Sequence, residues 1–244
     1  MMNRIELTEP IFRCQGMAMN LDAFETLAKS RRSIRHFKPD PIPGELVERL
    51  VDIAHWAPSG YNLQPTHFVI VTAPEQKEKL QSACLGQRQV LEAPVVVVFT
   101  GDRRVMENHF EAILEQDKEL GAMNPDYERL LRKFVPLAFS TTPLGLGWLW
   151  KAAVLPLVNL FKPVPEMPAV HKRYWLAKQV SLAAMNFMLA AHAAGLATVP
   201  MEGFAEKEVR QVLNIPKTHV VSLIVPVGYA NNMDVKKSRL PLDK

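Results

Sequence analysis

The chain has 244 residues, of which 48% are hydrophobic and 22% are charged; these are ordinary globular values that exclude a disordered chain, a collagen-like fibre and a coiled coil. A chain of this length can bury most of its apolar surface in one large domain or two small ones. The 29 basic and 25 acidic residues give a net charge of +4, which is too small a surplus to indicate nucleic-acid binding by itself.

The two cysteines, Cys14 and Cys84, are too few for a disulfide framework or a Cys-rich zinc cluster within one chain. We therefore expect a reduced, cytoplasmic setting, and no metal site is predicted. Residues 1–19 lack the continuous apolar core of a secretory signal and are interpreted as an N-terminal arm. Since no repeat or flexible linker divides the chain, we expect one domain over residues 1–244, with an insert at about 102–170.

Helical and strand-like segments alternate along the chain. Asn20 is a suitable N-cap for a helix over 21–29, and a second helix is predicted to start near Pro43 and to end at Ala57-Pro58. The unbroken valines at 95–98 indicate a strand that is covered on both faces. Strand-like runs occupy 66–72, 95–100, 196–198 and 219–229, and further helices are predicted near 74–84, 103–120, 126–134, 172–194 and 205–214. This mixed pattern indicates an α/β (α+β) fold.

Residues 179–201 contain no charged side chain and reach the length of a membrane span. Gln179, Ser181, Asn186 and His192 place polar side chains in the segment, and Gly195 stands where a helix C-cap is expected. These features favour a buried central helix over a membrane span.

A second apolar stretch runs from Phe134 to Phe161, where the only charged residue is Lys151, next to Trp148 and Trp150. Prolines and glycines interrupt any single long helix there. The favoured interpretation is a lid or an insert that a partner covers. Weak membrane-surface contact through residues 143–161, with the tryptophans at the interface, and a true span are the alternatives.

Two basic runs contain the donors that anions prefer. The first, S-R-R-S-I-R-H-F-K at 30–38, has four permanent cations within eight positions, and the second, K-K-S-R-L-P, occupies 236–241. Guanidinium groups bind phosphate or another multiply charged anion through fork-shaped donors. Either run is also typical of an exposed, solvated basic stretch.

Two turn-like motifs lie between these runs. A-P-S-G-Y-N-L-Q-P at 57–65 contains an alcohol and two amides, which suit the hydrogen-bonding edge of a planar heterocycle. P-M-E-G at 200–203 follows a strand-like segment, and Gly203 would let the backbone come close to a ligand. A plain connecting turn and an ordinary strand exit are the alternatives.

Taken together and in this order, R-R-S-I-R at 31–35, A-P-S-G-Y-N-L-Q-P at 57–65, P-M-E-G at 200–203 and K-S-R-L-P at 237–241 resemble the nitroreductase family of flavin-dependent NAD(P)H oxidoreductases. The resemblance covers nearly the whole chain, apart from the arm and much of 102–170. It implies a central mixed sheet flanked by helices and an intertwined homodimer that binds FMN non-covalently across its interface. The insert would then form a helical and apolar cap over the ring.

By motif position, the resemblance also implies the cofactor contacts. The phosphate and ribityl end would be bound by the basic runs, through Arg31, Arg32, Ser33, Lys237 and Arg239. Arg35 would lie near the pyrimidine edge, where its charge favours the reduced, negatively charged ring. The partner subunit would contribute Pro58, Ser59 and Gly60, with Asn62 and Gln64 as loop support or ring contacts. The opposite ring face would be lined by Pro200, Met201, Glu202 and Gly203.

Some positions depart from the family pattern or lack a clear match. Gly60 stands where many members have a second serine, which weakens any side-chain contact at that position. Gln87 is a candidate for the ring-contacting polar residue that the family has between its first two sheet strands. His67 and His192 are expected to have packing or surface roles.

The resemblance implies a ping-pong cycle in which the flavin takes hydride from NADH or NADPH and then reduces a second substrate. An apolar cap suits a flat, apolar acceptor such as a nitroaromatic, a quinone or an enone, and reductive dehalogenation is a further option. No side-chain nucleophile is expected. The alternatives are a flavin-binding protein of the same fold without nicotinamide turnover, and a membrane-surface or nucleic-acid interaction module.

Overall fold

A computed structural model describes residues 20–139 and 171–232, together with residues 153, 160, 168, 236 and 238–242. The predicted N-terminal arm, Lys237, Trp148 and Trp150 lie outside the described residues, as does most of the apolar stretch. The described helices are Leu21–Ser30 (α1), Gly44–His55 (α2), Pro74–Ala83 (α3), Gln89–Glu92 (α4), Val105–Glu119 (α5), Pro125–Phe139 (α6), Lys172–Ala193 (α7) and Glu206–Val212 (α8). The described strands are Thr66–Val71 (β1), Val95–Asp102 (β2), Ala197–Thr198 (β3) and His219–Gly228 (β4).

The four strands form a sheet in the order β1-β2-β4-β3, and each neighbouring pair is antiparallel. An isolated parallel bridge joins Ser33 to Thr198 at the β3 edge, so the pairing has both senses. Helices lie on both faces of this sheet. The predicted α/β fold is therefore confirmed.

Strand β2 is the centre of the core, and all eight of its residues are buried. Successive side chains of a strand point to opposite faces, which divides the valines between two clusters. Val95, Val97 and Phe99 pack against α2 and α7, whereas Val96 and Val98 pack against α3 and α8. The prediction of a strand covered on both faces is confirmed.

Helix α7 is the longest described helix, with 22 residues, and it packs against the sheet through Leu176, Val180 and Phe187. It ends as predicted near Gly195, which has a φ of 77°. There the Leu196 N–H donates to the carbonyl of Ala191 and the Gly195 N–H to that of His192, the paired bonds of a Schellman motif. None of the helices in the described ranges meets the length and hydropathy needed to cross a bilayer.

Helices α5 and α6 belong to the predicted insert and form an ion-paired helical pair. Arg132 binds both Glu111 and Glu128, and Glu128 also pairs with Lys118 at 2.6 Å. Helix α6 runs to Phe139 although Pro136 lies inside it, so the helix predicted near 126–134 is longer than expected. The reason is packing, because Val135 and Phe139 are buried in a cluster with residues of α5.

Candidate functional site

The first basic run lies along the edge of the sheet. Ser33 bridges Thr198, and the Ile34 N–H donates to the Thr198 carbonyl at 3.1 Å. Further along, the Lys38 N–H donates to the carbonyl of Tyr229 at 2.8 Å. Ile34 and Phe37 are buried in a small cluster of their own. The run is thus anchored through its backbone and its two apolar side chains, unlike a freely solvated basic stretch.

Arg31 is the cation of this run with unmet hydrogen-bonding capacity. Its Nη1 is buried and has no hydrogen-bond partner in the described part of the chain. Burial lowers the pKa of Arg31, and the nearby charges of Arg239 and Arg32 lower it further. A guanidinium stays protonated in proteins even so. The structure therefore brings Arg31 and Arg239, from opposite ends of the chain, close enough to repel each other, which is an arrangement that an anion relieves.

Arg32 makes different contacts from those that the resemblance implies. Its Nη1 donates to the carbonyls of Lys29 at 3.1 Å and Ser30 at 2.6 Å, at the end of α1. A positive charge there also favours the helix dipole. These bonds favour a role in ending the helix, and an FMN contact of Arg32 stays a prediction. The side chains of Arg35 and Arg239 are exposed.

The P-M-E-G motif continues from β3 and stays attached to β4. Met201 exchanges two backbone hydrogen bonds with Ile224, at 2.8 and 3.1 Å, and its side chain is buried. Gln87 fixes the far end of the motif, because its Nε2 donates to the Gly203 carbonyl at 2.7 Å. Gln89 in turn donates to the Gln87 Oε1 at 2.8 Å. Gln87, the candidate between the first two strands, therefore lies directly beside the predicted ring-facing motif.

The motif at 57–65 forms a strained loop. Tyr61, Asn62 and Gln64 have φ values of 57°, 53° and 51°, which are unfavourable for residues other than glycine. Two of the stabilising bonds come from the loop itself, from the Gln64 N–H to Ser59 Oγ and from the Asn62 N–H to the Ser59 carbonyl, both at 2.9 Å. The Leu63 side chain is fully buried against α5 and α6. So many constraints favour a positioned loop over a plain connecting turn.

Gly60 departs from the family pattern for a structural reason. A Cβ at this position would lie 3.3 Å from the indole of Trp175 on α7, closer than ordinary van der Waals contact. The Trp175 ring packs edge-on against Phe139, and Phe139 packs in the same way against Tyr61. A second serine here would therefore require the Trp175 indole, which packs in this aromatic cluster, to shift by a few tenths of an ångström.

Two residues of α7 that the sequence did not single out hold the loop in place. Gln179 accepts a hydrogen bond from the Gly60 N–H at 2.8 Å, and Trp175 covers Gly60. They are four residues apart, which places them on the same helix face. That spacing is the signal in the sequence, but nothing local shows which loop the face contacts.

The loop and the basic run contact opposite ends of α7. Gly60 bonds to Gln179, whereas Ser30 Oγ lies 2.8 Å from Nε2 of His192. These two α7 residues are thirteen positions apart, or about 20 Å along a helix axis. The basic run and the P-M-E-G motif are close together at the β3 edge. The loop at 57–65 of the same chain is remote from the start of the basic run at Ser30.

Comparison with known proteins identifies the family. The model of the nitroreductase family matches residues 28–229. A protein of Thermus thermophilus named NADH dehydrogenase is 28% identical, over 92% of this chain and 94% of its own length. An oxygen-insensitive NAD(P)H nitroreductase of Enterobacter cloacae is also 28% identical, over 89% of this chain and 95% of its own.

A solved structure supports the same assignment. It is described as a nitroreductase of Exiguobacterium sibiricum in complex with FMN; it is 25% identical to this chain, covers 90% of it and 94% of its own length, and gives a TM-score of 0.67. The chain belongs to the nitroreductase family. The predicted resemblance and the predicted fold class are both confirmed, whereas the individual FMN contacts stay predictions.

Proposed function

We propose that the protein is an FMN-dependent oxidoreductase that takes hydride from NADH or NADPH and passes electrons to a flat, apolar acceptor. Membership of the nitroreductase family supports an oxidoreductase. The names of the relatives support a nicotinamide donor, and the FMN in the solved neighbour supports the cofactor. The observation that carries the proposal is the buried Nη1 of Arg31, which has no hydrogen-bond partner among the described residues and lies beside a second arginine, Arg239.

The residues that are present fit FMN. The phosphate would bind between Arg31 and Arg239 and supply the acceptor that Nη1 lacks, with the Ser33 hydroxyl on the same backbone run. Arg35 would favour negative charge on the pyrimidine side of the ring. Pro200 and Glu202, which are exposed, and Gly203 would face the ring, positioned by the Gln87 bond. When bound, FMN supplies hydride chemistry at its ring nitrogen N5, for which no side-chain nucleophile is needed.

The loop at 57–65 would complete this pocket from a partner subunit in a homodimer. Within one chain, Gly60 contacts α7 about 20 Å from the end that contacts Ser30. Pro58 is exposed, and the loop around it is held by hydrogen bonds to Gln179 and Ser59. A loop that is held this firmly is suited to completing a pocket of another chain.

The apolar class of acceptor is supported by the surroundings of the loop. Helices α5 and α6 of the predicted cap pack on Leu63, and the Tyr61 ring, 43% exposed, is in edge contact with Phe139. Aromatic rings of this kind bind flat, apolar molecules such as quinones or nitroaromatics. The residues that would close the cap, including 143–161, lie outside the described part of the chain.

The first experiment is spectroscopic. We expect a yellow protein that releases FMN on heat denaturation and whose absorbance near 450 nm bleaches on anaerobic mixing with NADH or NADPH. Bleaching that fails with both donors, in a yellow protein, would support flavin binding without nicotinamide turnover. A colourless protein that sediments with lipid vesicles would support the membrane-surface alternative.

A hybrid dimer tests the shared pocket directly. Arg31→Ala disables the basic run, and Pro58→Trp places a bulky side chain on the exposed face of the loop. If each pocket combines the run of one chain with the loop of the other, a dimer of the two single variants contains one intact pocket. A dimer of the double variant with wild type contains none. Equal FMN content in the two hybrids would contradict the proposal.

A further inference from the structure

A second group of functional side chains lies at the other end of the sheet. His67 is near the start of β1, Asp102 ends β2 and His219 begins β4. The register brings them together, because Asp102 pairs with His219, and His67 lies opposite Thr100 of β2. One ring nitrogen of each histidine and one carboxylate oxygen lie within 4.8 Å of one another.

The group has unsatisfied polar atoms. Nε2 of His67 is buried and has no hydrogen-bond partner within the described ranges. The Asp102 side chain is also buried, at 3% exposure. The ammonium of Lys172 is near enough to Asp102 to interact with its charge, but it donates to the carbonyl of Arg103 at 2.7 Å. The hydrogen bonds to the Asp102 carboxylate come from neutral groups of Arg104 and Asn108. A bound metal ion would supply the partner that this imidazole nitrogen lacks among the described residues, and it would further offset the charge of the buried carboxylate.

The carboxylate is already oriented by groups around it. Its Oδ1 accepts the backbone N–H of Arg104 at 2.8 Å, and its Oδ2 accepts Nδ2 of Asn108 at 2.7 Å. Each oxygen keeps a further lone pair for a ligand bond. Hydrogen bonds of this kind fix metal-binding carboxylates in known metal sites.

We propose that His67, Asp102 and His219 bind one divalent transition-metal ion of the Zn²⁺ class. Two imidazoles and one carboxylate suit Zn²⁺ and its first-row neighbours, whereas Mg²⁺ and Ca²⁺ prefer oxygen ligands alone. Three protein ligands leave at least one position for water. Tetrahedral bonds of about 2.1 Å separate ligand atoms by about 3.4 Å, so binding requires the side chains to move together by roughly 1–1.5 Å.

The ion would stabilise the base of the loop at 57–65. The Asp102 N–H donates to the Pro65 carbonyl at 2.9 Å, and His67 follows Pro65 by two residues. A ring nitrogen of the neighbouring His109 lies 2.9 Å from the Leu63 carbonyl, a second bond between this region and the loop. The role inferred for the ion is structural. The sequence alone does not indicate the site, because its members are 35 and 117 positions apart.

The test is a metal titration of full-length, untagged protein as purified with its cofactor, after treatment with a chelator and dialysis. With Zn²⁺ in a calorimeter we expect one ion per chain. With Co²⁺ we expect visible bands at 550–650 nm, outside the main flavin absorbance. His67→Gln and His219→Gln should each weaken Zn²⁺ binding at least about a hundredfold. The matched control is His36→Gln, an exposed histidine in the basic run, which should bind Zn²⁺ like wild type.

Each outcome decides the proposal. Stoichiometric binding that both variants lose supports it, and Asp102→Asn provides a third variant if one of these does not fold. Absence of saturable Zn²⁺ and Co²⁺ binding by the wild-type protein would overturn it, as would His67→Gln that binds Zn²⁺ as tightly as wild type. The readout does not depend on activity, so a failure of the proposed oxidoreductase function would leave this result unchanged.

Discussion

The basic run at the β3 edge and the loop at 57–65 are both predicted to contact the same cofactor, but they are constructed in opposite ways. In the run, Arg31 has a buried donor that no described residue pairs with, and its charge repels that of Arg239. In the loop, Ser59, Gly60 and Gln64 satisfy their polar groups with bonds inside the chain. If both bind FMN as proposed, this difference predicts that the run would provide most of the binding free energy and that the loop would contribute shape.

The basic run and the loop also differ in backbone strain. The run makes isolated β-bridges through Ser33 and Phe37, while the loop has three non-glycine residues at positive φ. Strain of this kind costs of order 1–3 kcal/mol per residue and persists where the surroundings determine the conformation. Substitutions in the run should therefore change affinity, and small substitutions in the loop that do not block the pocket should mainly change stability.

The largest effect is expected from Arg31→Ala. Loss of a charge-assisted hydrogen-bond partner in a partly buried position should weaken FMN binding about a hundredfold, by a contribution of up to about 3 kcal/mol. Fluorescence titration of the apoprotein with FMN measures this change. Arg129→Ala, an exposed arginine of α6, is the matched control and should bind FMN like wild type. An unchanged affinity in Arg31→Ala would contradict the assigned role.

Arg239→Ala should have a somewhat smaller effect, since this arginine is exposed. We expect FMN affinity to fall about ten- to a hundredfold with the fold intact. FMN retention after dialysis, together with an unchanged circular dichroism spectrum, measures this. Full retention of FMN would indicate that the C-terminal run does not contact the phosphate.

Gly60→Ser tests the loop. Its side chain should meet Trp175 and lower the free energy of unfolding by about 1 kcal/mol, with little change in FMN affinity at the intact basic run. Chemical denaturation measures this change. The cost should be smaller in a Trp175→Leu background, since the contact is then removed. Equal costs in both backgrounds would show that Trp175 is not the obstacle.

The smallest effect concerns Cys84, which is fully buried and packs in the same cluster as Met201. Burial raises the pKa of its thiol from 9.0 to about 11. As pH rises, the thiol of Cys84 therefore loses its proton in the unfolded chain before it does so in the folded protein. Its contribution to the free energy of unfolding is complete well below pH 9 and declines above it. At pH 9.5 the loss should be less than about 1 kcal/mol.

The measurement for Cys84 compares two proteins in a Cys14→Ser background. The free energy of unfolding is determined at pH 7.5 and pH 9.5 with and without Cys84→Ala. Other groups also titrate in this range, so only the difference between the two proteins is informative. A difference that does not change with pH would show that the thiol beneath the P-M-E-G motif is accessible to water.

Local patterns predicted much of this fold. Three predicted features depend only on residues that are neighbours in sequence, and all three were found. They are the helix that Asn20 caps, the strand of valines that is buried on both faces, and the end of helix α7 at Gly195. Helix α6 was longer than predicted, because packing of Phe139 outweighs the local effect of Pro136. Local signals are reliable until tertiary packing opposes them.

The site was predictable only in part, for a similar reason. The resemblance pointed to Arg31 and Arg239 together, although 208 positions separate them. No pattern in the sequence links Gly60 to Trp175 or Gln179, because those contacts depend on how α7 crosses the loop. The register that joins His67, Asp102 and His219 is equally invisible until the strands are paired.

The two attachments of α7 have a consequence for the proposed dimer. A continuous 22-residue helix resists bending. Within each chain the loop bonds to α7 through Gly60 and Gln179, and the basic run contacts α7 near its end through Ser30 and His192. Each chain would contribute its loop to one flavin pocket and its arginines to the other. A single rigid rod per subunit would then set the spacing between the two redox centres of the assembly.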